Sequence, residues 1–137
     1  MRRIALGGAA LLAAACSAQA EVAAVPAASV AVSYQADIVP LLESQCATCH
    51  LTGEEAGGMS LVGDVARDFL VGKPSQEAPA IMRVVAGNPD ASYLVMKLEG
   101  THLANGGSGG QMPFGAPPLP PEQITKVRQW IAEGAKP

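Results

Sequence analysis

Aromatic side chains are scarce in this chain. Tyr34, Phe69, Tyr93, Phe114 and Trp130 are the only ones among 137 residues. A buried aromatic covers about 150–250 Å², so so few of them make a thin core and leave room for something else in the middle. Long apolar runs are missing too. The stretch from Ile4 to Ala15 has 12 residues, whereas a membrane span needs about 20, so no transmembrane helix is expected. Basic residues are outnumbered, with 9 Lys and Arg against 12 Asp and Glu. That balance argues against nucleic acid and anionic membrane as partners. With 11 prolines and 15 glycines, long regular elements have little space. Histidine is limited to His50 and His102, and cysteine to Cys16, Cys46 and Cys49.

The first 20 residues have the layout of a secretory signal peptide: a basic start at Arg2 and Arg3, the apolar Ile4–Ala15 run, and the small-x-small site Ala18-Gln19-Ala20. A second reading is open. "LAAAC" before Ser17 resembles a bacterial lipoprotein box, which would make Cys16 a lipid anchor. Either outcome spares an exported protein an unpaired thiol. Cleavage after Ala20 leaves 7 basic residues against 12 acidic, a net charge of −5. The expected address is the periplasm, free or tethered to its membrane.

Residues 21–33, rich in Ala, Val, Ser and Pro, read as a flexible leader or tether. One domain follows, over 34–137. The expected class is all-α, with three to five short helices and long Gly/Pro-rich loops. Pro40 divides "YQADIVPLLESQCATCH" into an initial turn and a helix beginning near Val39, with Ile38, Leu41, Leu42 and Gln45 as its apolar stripe. A short helix is predicted from about Asp64 to Val71, ending at Gly72. Another starts at Asn88-Pro89-Asp90 and stops at Gly100, with Tyr93, Leu94 and Leu98 apolar. "THLANGGSGGQMPFGAPPLPP" reads as one irregular loop. In the last helix Pro121 and Glu122 suit the first turn. Ile124, Val127, Ile131 and Ala135 share a face, and Gly134 ends it.

The chemistry centres on "CATCH", from Cys46 to His50. A thiol–disulfide oxidoreductase would carry Cys-x-x-Cys in a βαβ context, and no strand–helix alternation is present. Zinc would want four ligands, and His102 is the only His or Cys after His50. Covalent haem accounts for every part. Cys-x-x-Cys-His is the c-type attachment motif: Cys46 and Cys49 add to the two vinyl groups, and His50 becomes the proximal iron ligand. Export agrees, because haem attached in this way is typically found outside the cytoplasm.

Met112 is the candidate sixth ligand. Its Gly- and Pro-rich surroundings forbid ordinary helix or strand, and Pro113 holds it extended. Met82 and Met96 are expected in the core, and Met59 lies too near His50 in sequence to cross to the opposite haem face. His102 is the rival ligand. A thioether favours ferrous iron and raises the potential over a bis-His site.

With these residues in place, the chain resembles the small single-haem cytochromes c, in particular the planctomycete-type cytochrome c-like domains. "DIVPLLESQCATCH", "GNPDASYLVMKLEG" and "MPFGAPPLPPEQITKVRQWIAEGA" carry the resemblance over most of Tyr34 to Ala135. Leu51 departs from the pattern where Gly is common after the motif, and Pro120 where a Ser or Asp cap is usual. The resemblance implies a fold in which N- and C-terminal helices cross beside one haem c, with His50 and Met112 as axial ligands. The role implied is electron transfer between redox partner proteins, without catalysis. Two other readings stay open: a haem enzyme or gas sensor with a labile Met112, and an electron-transfer subunit of a larger oxidoreductase.

Overall fold

The computed structural model describes residues 30–137 apart from Ala56. The expected signal peptide, Cys16 and most of the leader lie outside the described residues. Among the described residues four short α-helices form the framework: α1 (Val39–Gln45), α2 (Val65–Leu70), α3 (Tyr93–Glu99) and α4 (Pro121–Ala132). A π turn (Tyr34–Ile38) leads into α1, and a 3-10 turn (His102–Asn105) follows α3. No sheet forms among the described residues, only isolated bridges such as Val71 with Val84. The class is all-α.

Pro40 explains the π turn. It has no N–H to donate to the carbonyl four residues back, and its ring crowds that position. The ladder widens by one residue instead, with Ile38 N donating to Ser33 O at 3.3 Å and Val39 N to Tyr34 O. Ser33 Oγ caps the turn by accepting from Ala36 N at 3.1 Å. Residues 30–32, assigned to the leader from sequence, lie along α4. Val32 N donates to Glu133 Oε2 at 2.9 Å, and Val30 O accepts from Gln129 Nε2 at 3.0 Å. Along α1 the stripe is Ile38, Leu41 and Leu42; Gln45 is exposed.

The third helix starts later than its sequence suggests. Asn88 Oδ1 accepts from Ala91 N, and Ser92 Oγ accepts from Val85 N while donating to Asn88 O. Those bonds make residues 88–92 a turn. The first free N–H groups of the helix, at Tyr93 and Leu94, then donate to Met82 O and Arg83 O, at 3.0 and 2.9 Å. Its stop is as expected, with Gly100 at φ +76°. The long loop before α4 differs in one respect, since it contains the 3-10 turn at His102–Asn105.

The core gathers Tyr34, Ile38, Leu42, Leu70, Val84, Val95, Leu98, Val127, Trp130 and Ile131. Tyr34 stacks on Trp130 with ring centroids 5.4 Å apart, joining the N-terminal turn to α4. The indole N–H of Trp130 donates to Lys136 O at 2.8 Å, so its one polar atom is satisfied on burial. Arg67 Nε donates to Ala135 O at 2.8 Å, which ties α2 to the chain end. Pro120 precedes α4 without any side-chain cap.

Candidate functional site

Cys46 is the residue at which α1 ends. The chain then folds onto the Cys46 carbonyl, which accepts from Cys49 N and His50 N, both at 3.1 Å. Both thiols and the imidazole therefore sit on one turn. Cys46 is half-buried against the core, Cys49 is exposed and His50 is buried; both thiols are free. Burial, and next the neighbouring Cys49, pushes the Cys46 thiol up to about 11. It stays protonated at neutral pH, the reverse of the lowered thiol that disulfide exchange uses. Among the described residues, no group of three or more His, Cys, Asp or Glu side chains is placed to hold a metal ion.

The segment after His50 is fastened from three directions. Leu61 N donates to His50 O at 2.8 Å, and Ser60 Oγ to Leu51 O at 2.8 Å. Glu55 accepts from Thr52 N, Thr52 Oγ1 and Gly53 N, each at 3.0 Å to its nearer carboxylate oxygen. A desolvation penalty opposes these bonds, yet they hold the carboxyl down at about 2. Buried Arg83 donates to Gly57 O at 2.6 Å, Gly58 O at 3.1 Å and Phe69 O at 2.8 Å. Burial lowers the guanidinium's pKa. Among the described residues no carboxylate lies within 4 Å of it, so carbonyl dipoles solvate its charge.

Met112 is half-buried and packs against the same core cluster as Cys46 and Met59. Its N–H donates to Lys97 O at 3.0 Å, and the following Met112–Pro113 peptide bond is cis. Neighbouring Gln111 Nε2 donates to Leu98 O at 2.8 Å. Met59 lies on the His50 side: a Cβ on Gly57 would stand 3.1 Å from Met59 Cε and 3.7 Å from His50 Cε1. Met96 is buried beside Tyr93 and Ala78. Met82, expected in the core, is 38% exposed. It sits in the irregular 71–88 segment, where its carbonyl is used to receive α3.

His102 is 2% exposed, with Nε2 3.1 Å from Gly109 O and its ring edge-on to Tyr93 at 6.5 Å. The imidazole thus packs within the loop that carries Met112. A cleft of about 480 Å³ is lined by Asp68, Phe69, Lys73, Pro74, Gln76 and Arg83. None of Cys46, Cys49, His50 or Met112 borders it. It backs onto the segment after His50, because Phe69 stands 3.3 Å from where a Gly53 Cβ would be.

Arg83, Glu55, Glu77 and Lys97 are structural contributors that sequence reasoning passed over. Lys97 had a signal, being a lone cation in "YLVMKLE" whose neighbours Tyr93, Val95, Met96 and Leu98 are all buried. Its carboxylate partner Glu77, 20 residues upstream, had none.

Comparisons of the chain with protein-family models, with curated proteins and with solved structures find no match. No helix among the described residues is long and apolar enough to cross a membrane.

Proposed function

We propose that the protein is a monohaem c-type cytochrome and works as an exported single-electron carrier. Cys46 and Cys49 would hold haem c through two thioethers, and His50 and Met112 would ligate the iron. The observation that carries this reading is the turn closed on the Cys46 carbonyl, which gathers two free thiols and the adjoining buried imidazole. Fit to an apolar planar group has further support. Leu51, next to His50, is 56% exposed, and Phe114, two residues beyond Met112, is 76% exposed. An apolar group held by these ligand candidates would have such exposed apolar side chains close by in sequence to cover. The all-α class and the Tyr34–Trp130 stack between the Tyr34–Ile38 turn and α4 are compatible with a cytochrome c-like fold.

Haem bound there would supply a one-electron Fe(III)/Fe(II) couple. The chain's own part is positional. Arg83, Glu55 and Ser60 hold the segment after His50, and the core behind Cys46 and Met112 excludes water. Redox proteins would be donor and acceptor. Maturation in a host able to attach haem, followed by a pyridine haemochrome spectrum and intact mass, tests the reading. One haem per chain is expected, with loss of both thiols and a mass reporting how the N-terminus, Cys16 included, was processed. Colourless protein with free thiols at positions 46 and 49 would falsify it.

A further inference from the structure

Met112 follows a stretch with four glycines and a serine, residues 106–110, which by composition has no fixed conformation. In the structure that stretch is gripped at both ends by a single residue of α3. Lys97 Nζ donates to Ser108 O at 3.0 Å, while the Lys97 carbonyl accepts from Met112 N at 3.0 Å. The Lys97 side chain is buried, so its ammonium needs partners of fixed geometry. Besides Ser108, it has Glu77 Oε2 at 2.7 Å, and that oxygen also accepts from Tyr93 Oη at 2.9 Å. Between the grips, Gly109 O lies 3.1 Å from His102 Nε2. Gly109, at φ +73°, runs so close that a Cβ would meet Glu77 Oε1 at 2.5 Å and Lys97 Nζ at 3.3 Å. A Cβ on Gly107 would collide with Tyr93 Oη. The glycines that make the segment pliable are therefore also what lets it lie against the Tyr93–Glu77–Lys97 cluster.

We propose that Lys97, oriented by Glu77, is a positioning residue for Met112, and that this ion pair, with its ammonium buried and its carboxylate half-buried, decides whether the thioether stays at its post. The proposal rests on the reading of Met112 as an iron ligand. It separates the two open roles of the protein: a closed latch suits a carrier, and a weakened one exposes the iron to small ligands.

The test is Lys97→Met in the haem-loaded full chain, with Glu77→Gln and Met112→Ala beside it. In Lys97→Met the weak sulfur-to-iron charge-transfer band at the red end of the visible spectrum should fade and the midpoint potential should fall. The ferrous protein should take up CO, with the haemochrome spectrum unchanged. Amide exchange at residues 108–112 should quicken by about tenfold or more while the Tyr34–Trp130 core keeps its protection. Glu77→Gln should shift every reading the same way by less. Unchanged band, potential and exchange in Lys97→Met would overturn the proposal. If Lys97→Met fails to fold, the same readings on Glu77→Gln decide. If Met112→Ala leaves the band and potential intact, the ligand reading has failed; exchange at 108–112 in Lys97→Met then decides alone whether the grip exists. The same exchange reading holds if the wild-type chain carries no haem.

Discussion

The two halves of the candidate site are built in opposite ways. Around Cys46–His50 the geometry is local: α1 ends, and the next turn closes on a carbonyl three and four residues back. Around Met112 almost nothing is local. The segment is held by Lys97, Leu98, His102 and, through them, Glu77, up to 35 residues away in sequence. Local hydrogen bonds form with little loop-closure cost, whereas the second half exists only after the core has assembled. One half can therefore survive damage that dissolves the other.

Experiments can press on that contrast, beginning with the harshest. The double variant Cys46→Ala/Cys49→Ala should abolish covalent haem, read as loss of colour after denaturing gel separation, with the α1 framework intact by circular dichroism. Met112→Ala should keep the covalent haem and lose the sulfur-to-iron band, with a lower potential by spectroelectrochemistry. If it loses the haem instead, the halves are not separable. Trp130→Ala removes the side chain that joins the Tyr34–Ile38 turn to α4, and should cost about 3–5 kcal/mol in denaturant unfolding. Arg83→Met leaves three carbonyls without their donor and should cost about 2 kcal/mol. Its amide-exchange signature should fall on residues 57–58 and spare 108–112.

The mildest test uses pH. Glu55 has its carboxyl held at about 2, below the ordinary value of about 4.3. A lowered folded-state value stabilises the protein fully above the ordinary value, and that contribution is lost as pH falls towards 2. Glu55→Gln should thus be less stable than wild type at pH 6, with the gap in urea midpoint closing as pH drops from about 5 to 2. Because Glu55 is only half-buried and near solvent, the gap should be small and largely confined to residues 52–55. A gap that persists unchanged at low pH would mean that the hydrogen bonds do not depend on its charge.

Legibility in the sequence follows the same divide. The start of α1 at Val39, the stop of α3 at Gly100 and α4 from Pro121 to Ile131 are readable, because proline, glycine and a 3.6-residue apolar repeat act through the neighbouring backbone; Ala135, expected on the same helix face, lies beyond the helix end at Ala132 with φ +50°. The start of α3 was misread by about four residues. "NPD" is good helix-start chemistry, but the donors that need capping were taken by Met82 O and Arg83 O, from a segment with no periodic signal. Met82 itself was expected inside and lies outside for the same reason. Met112 was picked out by its surroundings, while the cluster that fastens it was invisible, since no pattern ties Glu77 to Lys97 across 20 residues.

Sequence alone determined the all-α class, the framework of short helices and the Cys-x-x-Cys-His turn, since each depends on backbone preferences and on residues within one or two helical turns. Only tertiary structure decided where the charged side chains are buried, which loop residues they hold and how Met112 is presented. Those outcomes depend on which distant donors and acceptors meet once water is excluded, and a buried charge accepts whatever partner the assembled core brings within reach.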